Sequence, residues 1–145
     1  MSFVFARFRK VGTDSLEQEQ RLYALSGYAL YVGQALKVTA GRLAPLAATG
    51  DRVYAISNVS AASSVVTASY LPKVIPVNDN QVWQAPFTTA ITAAVYPGLF
   101  VDIASQTTGI KGDYLGTGAY LFDITTGTTF PGGTSAAFVV FVPEP

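Results

Sequence analysis

The chain has 145 residues, of which 50% are hydrophobic and only 12% charged, with nine Lys and Arg balancing nine Asp and Glu. It holds no His and no Cys, which removes the side chain that titrates nearest neutral pH, the commonest metal ligand, thiolate nucleophiles, disulfides and Cys-based zinc or iron–sulfur sites. A zero net charge argues against a protein whose main work is gripping nucleic acid, and the length suits one domain.

The charges are unevenly spread. Arg7, Arg9, Lys10, Asp14, Glu17, Glu19 and Arg21 all fall in the first 21 positions. The remainder must cover itself largely with Ala, Thr, Ser, Gly and Tyr, whereas a freely soluble surface is about 25–35% charged. Much of this surface is therefore expected to be covered by partners. Residues 1–52 carry seven basic and four acidic groups, and residues 53–145 carry two and five. Such a dipole can orient a module on a charged support, and chance spacing of few charges produces the same pattern. The charge-free stretches 53–72 and 81–101 are long enough to span a bilayer. They are diluted by Ser, Thr, Asn and Gln, and the second is broken by Pro86, Pro97 and Gly98, so neither reads as a membrane span. At the N-terminus the basic residues follow Phe3 and Phe5 instead of preceding an apolar run, unlike a signal peptide. The expectation is a protein made in the cytoplasm.

In chain order, residues 1–25 read as an N-terminal extended arm. Strict alternation over 2–10 places Phe3, Phe5, Arg7 and Arg9 on one face and Val4, Ala6, Phe8 and Lys10 on the other. Residues 14–25 carry helix signals: Asp14 and Ser15 are N-cap types, Glu17 and Gln18 complete overlapping capping boxes, and Glu17 precedes Arg21 by one turn. The spacing predicts a short helix there, with a loop or strand as the alternative. Residues 26–145 read as a single β-rich domain, with strands near 28–32, 34–39, 42–47, 52–58, 64–70, 73–77, 81–85, 99–104, 119–124 and 136–142, separated by Gly, Pro, Asn and Asp. Many short strands with little helix predict a mainly all-β fold, a small barrel or a sandwich. Residues 138–142 are apolar on both faces and predict a central, buried strand. Leu121 should supply another core wall, with Asp123 turned outward or to a strand end. Pro72, Pro76, Pro86 and Pro97 predict that 71–98 makes an extended excursion, since proline cannot donate to a ladder. Segments 33–57 and 98–125 share a strand-turn-strand rhythm but not residues, so no repeat is assigned.

Catalytic chemistry finds little footing. Asp79, Asp102, Asp113 and Asp123 could form an acid/base pair or, for the last three, a calcium site, but each sits beside a turn or strand end where Asp serves the backbone. Residues 60–64 are rich in Ser but lack a Gly-x-Ser-x-Gly elbow and a His base. Gly112, Gly116, Gly118 and Gly127 form no phosphate loop. Asn58-Val59-Ser60 fits the glycosylation pattern without a secretion signal. No enzyme, cofactor or metal is expected. Trp83, with Tyr54, Tyr70, Tyr96, Tyr114 and Tyr120, could line a carbohydrate-binding face, although Val82, Ala85, Pro86 and Phe87 surround Trp83 with apolar bulk that also suits a core or a subunit interface.

The run Gly33-Gln34-Ala35-Leu36-Lys37-Val38-Thr39-Ala40-Gly41-Arg42-Leu43, continuing through Thr49-Gly50-Asp51 to Val53-Tyr54-Ala55-Ile56-Ser57, resembles the opening of the head decoration, or cement, proteins of tailed bacteriophages. In that family a glycine precedes a strand ending in a Gly-Lys or Gly-Arg turn, and the returning strand reaches a Gly-Asp turn followed by an apolar strand. Residues 98–105 are similar to its second core strand and 138–142 to its closing strand. The resemblance covers roughly half the chain. It implies a virion protein that binds the major capsid protein on the outer face of the expanded capsid, self-associates as a homotrimer at local three-fold positions, and braces the shell, with no part for nucleic acid or membrane. It also implies an arm that lies along the capsid protein or a neighbouring decoration subunit. Phe3, Phe5 and Phe8 would be its apolar anchors and Arg7, Arg9 and Lys10 would pair with shell carboxylates. On the other reading the phenylalanines close the domain's own β fold. The helix-like segment 14–25 departs from the shorter family members. A cement protein trimmed of residues 2–24 is expected to lose particle affinity while staying folded. The alternative class is a carbohydrate- or host-binding β-sandwich module of a phage structural protein.

Overall fold

The structure is a computed structural model that describes residues 3–10, 12, 14–47, 51–87, 96–103, 110–115, 118–126 and 135–142. The described residues are all β. The strands are β1 (Val4–Phe8), β2 (Ala35–Thr39), β3 (Arg42–Pro45), β4 (Ala55–Ser57), β5 (Val74–Pro76), β6 (Gln81–Pro86), β7 (Phe100–Ile103), β8 (Ile110–Leu115), β9 (Ala119–Thr126) and β10 (Ser135–Phe141). They form two antiparallel sheets, one ordered β1-β6-β10-β9-β7-β8 and the other β3-β2-β4-β5. The sheets face each other as a sandwich and do not close into the barrel that the strand count also allowed. Among the described residues there is no helix, and so none long and apolar enough to cross a membrane.

Period-2 alternation builds the core between the sheets. Trp83 and Ala85 of β6, Ala137, Val139 and Phe141 of β10, Leu121 of β9 and Val101 and Ile103 of β7 meet Ala35 of β2 and Ile56 of β4. Leu121 and the β10 run occupy the central positions that the sequence predicts, and Asp123 is exposed. Phe138 and Val142 are only half-buried, because alternation turns half of a strand away from the core even when it is apolar throughout.

The four-stranded sheet is buried on its other face too. Leu36 and Ala55, neighbours in sequence of Ala35 and Ile56, point the opposite way into a second cluster with Ala24, Leu30, Leu43, Val66 and Val74. Its cover comes from segments without regular strand. Glu19 bridges Val74 on edge strand β5 through two backbone hydrogen bonds of 2.9 and 3.1 Å, and Ala24 bridges Leu43 on the opposite edge strand, β3. The chain between them is thus a strap across the sheet. Backbone groups of Glu19, Tyr23, Ala24 and Leu25 are hydrogen-bonded to Val74, Leu43 and Tyr70, and a helix would need those same groups for its own ladder. This overturns the helix predicted over 14–25: local capping signals yield to pairings with both edge strands. Arg42 Nη1 staples the strap by donating to Ala24 O (3.1 Å) and Ala68 O (2.8 Å). Tyr28 donates its hydroxyl to Leu43 O.

Other expectations shift for related reasons. Residues 28–32 and 64–70 are not strands; the first makes a single bridge, Leu30 to Ala61, and the second is a run of turns. Both contribute to the cover, with Leu30 and Val66 buried in the second cluster. The region 71–98 is no excursion where described, because β5 lies at one sheet edge and β6 in the interior of the other sheet. Pro76 is tolerated on β5 because that strand is an edge, and Pro86 sits at the last position of β6. The sequence reading has no counterpart for β8. The tight turn at Ala40-Gly41 is present, with both residues at positive φ (50° and 77°), the geometry of a two-residue hairpin whose twist matches its strands. The 49–51 turn lies mostly outside the described residues.

Two predictions follow from this packing. The left-handed backbone at Ala40 suits Asn better than Ala, so Ala40→Asn should raise stability by about 0.5–1 kcal/mol, measured as a higher urea midpoint with unchanged slope. Tyr54 donates to Glu19 Oε1 at 2.6 Å, and this hydrogen bond, ahead of burial and the nearby negative charge, raises its pKa above 10.0. A raised acid stabilises the fold fully below the unfolded pKa, and the contribution is lost as pH rises through the folded value. Wild type should therefore lose stability above about pH 10 more steeply than Tyr54→Phe, as read by melting temperature against pH.

Candidate interaction face

The six residues predicted for the contact arm lie on or beside β1, and the structure divides them. Phe3 is buried (3% exposed) and meets Phe141 edge-on at 5.0 Å. Phe5 meets Trp83 at 5.7 Å, also edge-on, and Phe8 lies 4.9 Å from Phe5. The rings close one side of the sandwich. Arg7, Arg9 and Lys10 are exposed. Strict alternation would keep Phe3, Phe5, Arg7 and Arg9 on one face, but the pairing of β1 with β6 slips between Phe5 and Arg7. The extra residue of such a bulge reverses the side-chain parity beyond it. Phenylalanines upstream therefore face the core and arginines downstream face out.

The outward cations gather around one ring. The guanidinium of Arg7 lies 5.0 Å and that of Arg9 5.9 Å from the centre of Phe122 on β9. Since β6 and β10 separate β1 from β9, these side chains meet above two strands. That explains why Val82 and Val140, outward-facing on those strands, are buried at 0% and 4% exposure. Arg9 also donates from Nη1 to Asp79 O (3.1 Å), Lys10 N donates to Asn80 Oδ1 (2.9 Å), and Asn80 Nδ2 donates to Asp14 Oδ2 (2.7 Å). Arg9, Lys10, Asp79, Asn80 and Phe122 line a concavity of about 450 Å3. Among the described residues the ion pairs are Arg21–Glu19 and Lys37–Asp51, so Arg7, Arg9 and Lys10 take part in none. Farther along the same face Phe100 of β7, exposed, meets Tyr120 of β9 edge-on at 5.6 Å. On the other side of β1, where Phe3 N donates to Gly33 O (3.0 Å), a trough of about 280 Å3 runs past Val4, Phe5, Leu16, Val32 and Ile75.

The remaining candidates are scattered. Trp83 is buried and donates Nε1–H to Gln81 Oε1 (3.1 Å), so it is a core residue and no sugar platform. Tyr54 is tied to Glu19 and Tyr70 packs on the second cluster, while Tyr96 is exposed. Asp102 is buried, Asp79 and Asp123 are exposed, and the side chains of Asp113 and Tyr114 lie outside the described residues, as does 127–134. Among the described residues no three His, Cys, Asp or Glu side chains converge as metal ligands would. Ser60 Oγ accepts from Val32 N (3.3 Å). Phe122, which organises the cations, carries no local sequence signal for that role, because its partners lie on a strand at the far end of the chain. No family model, curated protein or solved structure matches the chain.

Residues 2–24 include both β1 and the strap, which corrects the expectation that the domain stays folded without them. Their deletion should unfold it. Phe3→Ala alone should cost about 3–5 kcal/mol and shift Trp83 emission to longer wavelength, as measured by denaturant titration.

Proposed function

We propose that the chain is a non-catalytic structural protein that binds the major capsid protein on the outer surface of an expanded phage head, as a trimer, and stabilises the shell. One observation carries this reading: among the described residues the four-stranded sheet is covered on both faces and bridged at both edge strands, whereas β1, an edge strand of the six-stranded sheet, has no ladder partner on its outer side and carries the exposed Arg7, Arg9 and Lys10 on or beside it. A charge-poor chain that closes one sheet and leaves a basic edge open is suited to a large protein surface. The resemblance of 33–57, 98–105 and 138–142 to head decoration proteins gives that surface its identity, and these segments contribute β2, β3, β4, β7 and β10.

The mechanism is mass action. A protein that binds the intact lattice but not its disrupted form stabilises it by RT ln(1 + [L]/Kd), about 2.7 kcal/mol per site at a hundredfold excess over Kd. A closed shell repeats the gain at every site. Contacts between neighbouring subunits would add avidity. The structure alters the role given to the N-terminal residues, which contribute a strand already seated in the sheet in place of a loose arm. A host-directed glycan-binding role is the second reading. It is favoured by the exposed Phe100–Tyr120 pair and weakened by the burial of Trp83.

Saturation binding to mature heads stripped of accessory proteins, scored by co-sedimentation, tests the proposal. The expected result is saturation at a fixed ratio to the major capsid protein, with heads that then resist heating. Absence from the pellet at micromolar concentration, together with a positive glycan array, would favour the second reading.

A further inference from the structure

We infer that β1 is an acceptor for an extended, acidic polypeptide segment of the partner, which adds a strand to its free edge and places carboxylates against Arg7, Arg9 and Lys10. The inference rests on the capsid-binding reading and specifies the partner's chemistry at that surface. Three observations converge on it. First, β1 ends the six-stranded sheet and pairs only with β6. Beyond the Phe3–Gly33 bond no further backbone pairing of its outer edge occurs among the described residues. Such an edge is a template for another strand.

Second, the edge selects against its own copy. Two β1 strands meeting about a two-fold axis would bring Arg7, Arg9 and Lys10 of both copies to one seam with no acidic residue on either strand, and like charges across a strand pair are destabilising. The bulge at Ala6 also twists the edge away from flat self-pairing. A strand bearing carboxylates at alternate positions reverses the sign of that interaction, because Arg7 and Arg9 are themselves two residues apart and on one face.

Third, the cations are exposed and only lightly held. The guanidiniums of Arg7 and Arg9 rest on Phe122, on the β6 side of β1, and cation–π contacts at exposed sites are worth only about 0.5–1 kcal/mol each, so both side chains can turn to carboxylates across a new strand pair, where opposite charges are stabilising. The trough past Val4, Leu16 and Val32 offers space for an apolar side chain on the opposite face of the added strand. An acidic sugar could satisfy the cations, but it has no use for a strand edge, and that distinguishes the two ligand classes.

The probe is a fluorescein-labelled peptide of sequence Glu-Thr-Glu-Val-Glu-Thr-Glu-Val, followed by polarisation against the full chain. Three comparison probes accompany it: the same peptide with Lys for Glu, the same peptide N-methylated at alternate residues, and oligogalacturonate. The Glu peptide should bind, with at least tenfold weakening on N-methylation, on replacing Glu by Lys, and in the protein variant Arg7→Glu/Arg9→Glu. Lys10→Glu, altering a side chain that is exposed, should weaken binding severalfold and serves if the double variant does not fold. Equal binding of the N-methylated peptide, of the Lys peptide, or tighter binding of oligogalacturonate would overturn the inference. Co-sedimentation with stripped heads on the same sample separates the two levels. Heads bound without peptide recognition would end this inference alone, and peptide recognition without head binding would end the capsid reading alone.

Discussion

Every β-sheet must dispose of two faces and two edges, and the strap from Glu19 to Ala24 is how this chain disposes of them for the four-stranded sheet. Bridges at Val74 and Leu43 occupy both edge strands at once, and Leu22 and Ala24 between or at those bridges lie on the sheet's outer cluster. With that sheet closed, the segments around Leu30 and Val66 have an apolar surface to cover, and the opposite face is free to meet the six-stranded sheet. The fold has two hydrophobic clusters because one thin sheet is buried from both sides.

The six-stranded sheet is treated differently. Its inner face is filled by rings and small residues: Phe3, Trp83 and Phe141 beside Ala85, Ala119 and Ala137. On its outer face the described residues include the meeting of Arg7, Arg9 and Phe122 above β6 and β10 and the ring pair of Phe100 and Tyr120. Cation–π contacts at exposed sites contribute about 0.5–1 kcal/mol each, too little to account for concentrating the chain's cations there as a device of stability. On the proposed reading they serve recognition, and the same strand that plugs the core with Phe3 and Phe5 presents them, so that folding and recognition would be coupled through β1.

The hairpin of β2 and β3 was legible in the sequence because its determinants are local: alternating residues on either side of Ala40-Gly41. The central place of β10 was legible because few positions tolerate an unbroken apolar run. Residues 14–25 were misleading for the opposite reason. Their capping residues are genuine helix signals, but the competing structure is a pair of bridges to β5 and β3, and nothing near Glu19 or Ala24 in sequence reveals those partners. The candidate site was half legible. Its cations stood out as a cluster in a charge-poor chain, whereas Phe122 did not, because a ring on β9 becomes their partner only after two intervening strands have been inserted.

By itself the sequence determined the β character, the tight turn at Ala40-Gly41, the absence of His and Cys chemistry and the crowding of charge near the N-terminus, all of which are properties of composition or of a few adjacent residues. Only the tertiary structure decided that Phe3 and Phe5 face inward while Arg7 and Arg9 face outward, which edges are covered and which is free. Those outcomes depend on one slipped residue in the pairing of β1 with β6 and on contacts between distant strands, and sheet pairing is non-local in a way that side-chain alternation along one segment cannot encode.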